Sequence, residues 1–266
     1  MAQTHADKTT LNQVIVRQVC FTVMVTPSVE LNILKYLCKS VSPRGAYFWS
    51  SVEKRFFEDK FSPAMAAAWV LVYFAALIWS GIDPKDTLTW FLEVLPAMLA
   101  FVLLWATRRR FPFTPLAYFL ILIHCIILMI GGHYTYAEVP LLDPLGDYFG
   151  WQRNNYDKLG HLAQGFVPAI VAREILLRNA VVAPGNWLFF IVASICLAIS
   201  ALYELIEWGV ALMSEQAAEA FLGTQGYVWD TQSDMAYALI GAIAALVFMR
   251  RMHDRQIAQL AKQAAD

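Results

Sequence analysis

From residue 63 onward the chain alternates long apolar stretches with short polar connections. Six stretches approach the ~20 residues needed to cross the hydrocarbon core of a bilayer: 63 to 82, 88 to 106, 115 to 132, 159 to 177, 187 to 212 and 234 to 250. Trp69 and Trp79 offer interfacial anchors to the first. The fourth carries His161, Gln164, Arg173 and Glu174, so it reads as a span buried among its neighbours. The pattern predicts an all-α protein, a polytopic membrane helical bundle of about six transmembrane helices over residues 61–252, with a cytoplasmic tail over 253–266. Residues 1–60 are mixed in charge, show no sustained period and break at Pro27 and Pro43. They read as a cytoplasmic or interfacial extension, with the aromatic and basic run Tyr47 to Lys60 suited to an interface.

Composition agrees with a membrane protein. The chain is 59% hydrophobic and 15% charged, against roughly 45–50% and about 25% in soluble domains. A net charge of -1 leaves no bulk basic surface, so nucleic acid is not an expected partner; membrane lipid is. The start MAQTHADKTTLNQ lacks the features of a cleaved secretory signal, so insertion is expected through the first transmembrane helix. Cys20, Cys38, Cys125 and Cys196 lie far apart and form neither a disulfide framework nor a CxxC motif.

Placement of Lys and Arg predicts direction. Lys54, Arg55 and Lys60 precede the first span, Arg108 to Arg110 follow the second, Arg173 and Arg178 end the fourth, and Arg250, Arg251 and Arg255 follow the sixth. The opposite loops hold only Lys85, Arg153 and Lys158, and the loop from Ser214 to Thr231 holds acids and no basic residue. Both termini are therefore expected in the cytoplasm. That topology brings His133, Asp157, His161, Glu204, Glu207, Asp230 and Asp234 to one leaflet, the outer one.

Residues three or four apart share a helix face. Asp157, His161 and Gln164, then Ser200, Glu204 and Glu207, then Asp230, Asp234 and Tyr237 each form one polar stripe on an otherwise apolar helix. Such stripes are costly against lipid and should face one another. Part of the pattern has a purely structural explanation: Thr231 to Asp234 fits a capping box, and Asp157 near a helix start is favoured by the macrodipole. His133 in its Gly-rich turn reads equally as a hydrogen-bonded interfacial histidine, and His124 as a satisfied core residue. Glu204 and Glu207 lie well inside their apolar run, where capping does not apply. Their repulsion has three possible remedies: a shared proton or a salt bridge to Lys158 or Arg153, a divalent ion, or a cationic or hydroxylated substrate. Ligands drawn from Glu204, Glu207, Asp157, His161, Asp230, Asp234 and His133 would suit Mg, Mn or Ca, or Zn if both histidines bind. No HExxH is present.

The runs GGHYTYAEVP (131 to 140), GWQRNNYDKLGHLAQG (150 to 165), YELIEW (203 to 208) and FLGTQGYVWDTQSDM (221 to 235) resemble those of the YjdF family of bacterial inner-membrane proteins. The resemblance covers about residues 63 to 250 and implies a multi-pass location in the inner membrane without specifying a reaction. A looser similarity is to VanZ-like membrane proteins. It rests on Asp157, Lys158 and His161 opening one helix, Glu204 in the next, and Asp230 or Asp234 leading a last helix with Gly241 and Ala242. It implies a shared helical core and an envelope role, whereas Glu207 and the HYTYAEVP turn depart from it.

Three functions remain open at this level. One is an enzyme acting on a lipid or envelope small-molecule substrate, with Glu204, Glu207, Asp157 and His161 as acid–base groups or metal ligands. Another is a carrier or binder of a cation, proton or amphiphile, and the last is a structural protein held together by its polar stripes. The clustering toward one interface and the absence of a repeat disfavour a transporter. With no Ser or Cys nucleophile motif, a covalent mechanism is disfavoured too.

Overall fold

The computed structural model describes residues 61–213 and 225–265; the expected extension over 1–60 lies outside them. The helices are α1 (Pro63–Ser80), α2 (Thr87–Thr107), α3 (Pro115–Tyr134), the short α4 (Asp143–Phe149), α5 (Tyr156–Arg178), α6 (Asn186–Met213), α7 (Asp230–Phe248) and α8 (Arg250–Ala265). Two single-turn 3₁₀ segments, Tyr136–Glu138 and Pro140–Leu142, lie between α3 and α4. No strand occurs among the described residues. Five helices, α1, α2, α3, α6 and α7, are long and apolar enough to cross a membrane. The sixth, α5, has 23 residues, about 35 Å at 1.5 Å per residue, and its polar groups are mostly buried among its neighbours.

Local chemistry starts the first three spans. Ser62 accepts a hydrogen bond from the Met65 amide, Asp86 from the Thr89 amide, and Thr114 from the Ala117 amide. Pro63 and Pro115 sit at the first helical position, where the missing N–H costs nothing. The start of α7 differs from expectation: it begins at Asp230, Trp229 occupies the N-cap, and no side chain caps it. The Thr231 to Asp234 capping box does not form, because Asp230 and Asp234 are both engaged by Lys158. Trp69 is not an interfacial anchor either. It is buried, stacks on Tyr73 and donates from Nε1 to the Tyr118 carbonyl at 2.8 Å, whereas Trp79 is exposed.

The closest helix pairing is α5 with α7. A Cβ on Gly165 would lie 1.7 Å from the Ala238 carbonyl oxygen, and one on Gly241 would lie 2.1 Å from that of Leu162. The two backbones therefore touch, as small residues permit in membrane bundles. A second close approach fixes the turn after α3. Tyr136 wedges between Gly131 and Gly160, where added Cβ atoms would fall 2.4 and 2.8 Å from its ring. Thr135, just before it, holds the unusual backbone angles φ 60°, ψ 142°.

At the opposite end of the bundle, α8 docks through a buried polar network. Glu174 accepts from the Thr114 amide (3.0 Å), the Thr114 hydroxyl (2.8 Å), His253 Nε2 (3.0 Å) and Arg178 (2.8 Å). Gln256 accepts from the Leu116 amide at 2.9 Å, satisfying one of the free donors at the start of α3.

Replacing Gly165 by Ala should separate α5 from α7 and destabilise the purified protein by about 1–3 kcal/mol, the usual cost of overpacking. A thermal unfolding midpoint unchanged from wild type in detergent would contradict this packing.

Candidate functional site

The first two turns of α5 supply Asp157, Lys158 and His161, and the loop before them holds the helix start in place. Asn154 accepts from the Tyr156 amide at 2.9 Å and donates to the Val139 carbonyl at 2.7 Å, while the Tyr156 hydroxyl donates to the Ile127 carbonyl at 3.0 Å. From this anchored start, Asp157 and His161 share one face, and Lys158 reaches α7. Lys158 Nζ lies 2.5 Å from Asp230 Oδ1, 2.6 Å from Asp234 Oδ1 and 3.5 Å from Asp157 Oδ2. Arg153 reinforces Asp230 at 2.8 Å. This half of the cluster is a closed ion-pair network.

The other half centres on His161. Its Nε2 is 3.4 Å from Asp157 Oδ1, 3.6 Å from Glu204 Oε1 and 4.0 Å from Asp234 Oδ1. These separations exceed a good N–H···O hydrogen bond. They approach the spacing of about 3 to 3.5 Å between two ligands that share one cation at bonds of about 2.0–2.2 Å. On the other side of the ring, Nδ1 lies 3.0 Å from Gln164 Oε1. With Nδ1–H donating to that oxygen, Nε2 is the nitrogen presented to the carboxylates, the arrangement in which a metal-ligating histidine is usually held.

Two sets of potential ligand atoms lie within 4.8 Å of one another: Asp157, His161 and Asp234, and His161, Glu204 and Glu207. Glu204 is only 7% exposed, yet its Oε1 has no hydrogen-bond partner, and neither does the buried Ser200 Oγ one turn away. An unsatisfied buried carboxylate oxygen is costly. Lys158 and Arg153 are directed to Asp230 and Asp234, so the permanent cations leave Asp157, Glu204 and Glu207 largely to one imidazole.

The fold also adds a carboxylate that the sequence reading missed. Glu93 of α2 is buried and accepts from the Tyr203 hydroxyl at 2.7 Å. The signal was available, since Glu93 is a lone acid inside the second apolar stretch. Tyr136 joins the same polar group. Burial, followed by the nearby Glu93, Tyr156, Asp157 and Glu207, raises its phenol pKa well above the usual value, so it stays a neutral hydroxyl.

Not every expected residue converges. His133 is directed elsewhere: its Nδ1 lies 3.1 Å from the Ser80 carbonyl oxygen, and its ring packs on Trp79 and Tyr134. Asp230 belongs to the Lys158–Arg153 network and to neither three-residue set. His124 is not the satisfied core residue expected, because its Nε2 has no hydrogen-bond partner and its ring lines a cavity.

That cavity, of about 520 Å³, adjoins the cluster. Glu93, Tyr136, Asp157, His161, Gln164, Tyr203 and Glu207 form its polar end, and mostly apolar residues of α2, α3, α5 and α6 line the rest.

Residues 65–255 match the family described as a predicted membrane protein, DUF2238. The chain belongs to the DUF2238 family. A relative within reach of this family's span is the inner membrane protein YjdF of Escherichia coli (strain K12), 54% identical over 181 residues, which cover 68% of this chain and 87% of that protein. The expected resemblance to the YjdF family is thus borne out, and the chain is a multi-pass protein of the inner membrane. No solved structure matches it. The family match covers every residue of the cluster.

The two halves of the DUF2238 cluster should respond in opposite ways to substitution. Lys158→Met leaves buried carboxylates unpaired and should cost about 3–5 kcal/mol, whereas Glu204→Gln should leave stability unchanged or raise it. Equal destabilisation by both, measured by thermal unfolding in detergent, would make the whole cluster structural.

Proposed function

We propose that this chain is an outer-leaflet enzyme that uses His161, Glu204, Glu207 and Asp157, loaded with a divalent cation, for acid–base chemistry on a lipid or envelope small-molecule substrate. The observation that carries this reading is the unpartnered Oε1 of buried Glu204, directed into a cluster with too few cations to neutralise it. Location in the outer leaflet rests on the Lys and Arg distribution, which puts the opposite end of every span in the cytoplasm.

The donor set fits a hard cation. In each three-residue set one imidazole and two carboxylates favour Mg or Mn, with Ca acceptable, and Zn is less favoured once His133 is directed elsewhere. Bound there, the cation would supply Lewis acidity and a water of lowered pKa. The protein's own groups do the remaining work. His161 is oriented by Gln164, and Glu207 lines the cavity beside it. Tyr136 and the Tyr203–Glu93 pair present hydroxyl groups to the same space.

A second reading, that the cluster is only a helix-locking network, is favoured by the closed pairing of Lys158 with Asp230 and Asp234. Metal analysis of detergent-purified protein separates the two. About one equivalent of Mg, Mn, Ca or Zn in the wild type, lost in the Glu204→Gln/Glu207→Gln variant, supports the metal-dependent reading. Absence of metal from wild type dialysed against each of these ions in turn overturns it.

A further inference from the structure

The cavity beside the cluster is built unlike a pocket for a water-soluble substrate. Along α5 its lining runs from Asp157 through Gln164, Pro168 and Val171 to Ile175, about 27 Å at 1.5 Å per residue. That is nearly the ~30 Å thickness of a bilayer's hydrocarbon core. Along α2 it runs from Glu93 to Thr107. The cavity is therefore long, with its ionisable and hydroxyl groups gathered at one end, and His124 and Thr107 the polar exceptions along the rest. Its volume is within the ordinary range of ligand sites, roughly 300–1,000 Å³.

Its origin lies in the helix packing. α2 packs along α3, and α5 packs along α3, α6 and α7, but α2 has no comparable contact with α5 or α6. The cavity is the gap this leaves. Pro96 in α2 and Pro168 in α5 both line it. Each removes the helical hydrogen bond to the carbonyl four residues earlier and crowds the preceding turn. Leu103, Ile175 and Ile199 line the cavity and are also exposed on the bundle surface. A ligand can thus arrive sideways from the bilayer.

The polar end restricts the headgroup. Its lining holds Glu93, Asp157 and Glu207 with His161 and two tyrosines, and neither Lys158 nor Arg153 is part of it. Acceptors dominate, and among the described residues the permanent cations nearby, Lys158 and Arg153, are engaged by Asp230 and Asp234. With no cation bound, an anionic head would meet like charge in a poorly screened site, whereas a hydrogen-bond-donating head would meet partners.

We infer that the cavity takes the hydrocarbon chain of a membrane lipid whose head is a hydroxyl or an ammonium group, placed against Glu93, Asp157, His161 and Glu207. This names the substrate class of the cluster and rests on the proposed catalytic reading only for the statement that the lipid is transformed; binding stands without it.

The test uses the full-length chain in detergent with photoreactive C18 probes that differ in head (alcohol, amine, phosphate monoester) and carry a diazirine either near the head or at the chain end. The alcohol and amine probes should label saturably, with head-proximal diazirines marking the segment around Tyr136 or Gln164 and chain-end diazirines marking Phe113 or Ile175. In metal-free protein the phosphate probe should be captured at least about tenfold less efficiently, equivalent to roughly 1.4 kcal/mol. Val171→Trp, which fills the mid-cavity, should abolish saturable labelling, and Leu71→Trp on the exposed face of α1 should not. Unfolding midpoint and metal content confirm that each variant is folded. Non-saturable labelling, the same peptides marked from both probe positions, or equal capture of all three heads overturns the inference. Failure of the metal analysis with saturable, position-dependent labelling sinks the metal-dependent enzyme and leaves the lipid site standing; metal without labelling does the reverse.

Discussion

The arrangement depends on one contact, the bridge from Lys158 to Asp230 and Asp234 across the line where α5 and α7 touch backbone to backbone. Gly165 lies two turns beyond Lys158, and Gly241 two turns beyond Asp234. The glycines bring the helices close enough for a lysine to reach two aspartates, and the lysine makes it tolerable to bury those aspartates so near one another. Either feature alone would be unfavourable: a close crossing carrying two like charges, or a buried ammonium with no acceptor. Together they set the angle and depth at which α5 presents Asp157 and His161 to α6.

The two ends of the bundle show how differently buried charge can be managed. At one end Glu174 has four donors, His253 is held between Arg173 and Glu174, and no carboxylate oxygen there is orphaned among the described residues. That is a network whose purpose is complete in itself, docking α8 against α3 and α5. At the other end Glu204 keeps an oxygen with no partner, and His161 Nε2 comes no closer than 3.4 Å to Asp157 and 3.6 Å to Glu204. A protein able to satisfy Glu174 so fully has the means to satisfy Glu204. The contrast within one molecule is a stronger argument for a ligand than the acidity of the cluster alone.

Much of this was legible in the sequence. Apolar stretches of bilayer length set the spans, and three-to-four-residue spacing brought Asp157, His161, Glu204, Glu207 and Asp234 to one place. What escaped depends on which face each helix turns inward. His133 has the same composition signal as His161 but rotates toward Ser80 and Trp79. Glu93, one acid in a stretch with no stripe to extend, enters the site only because α2 leans on α3 and faces α6 across the gap. The capping box at Thr231 was sound local chemistry, and a tertiary ion pair displaced it. The cavity could not be read at all, since it belongs to the space that four helices fail to fill.

Tyr136 shows what this architecture asks of its backbone. The ring sits between Gly131 and Gly160 at the polar end of the cavity, and it is kept there by a turn whose preceding residue, Thr135, occupies a conformation that β-branched residues avoid. Backbone strain of about 1–3 kcal/mol is offset by the fit of an aromatic ring into a slot made by two missing side chains. The width of the polar end of the cavity is thus tied, through the seat of one ring, to the backbone of a single residue.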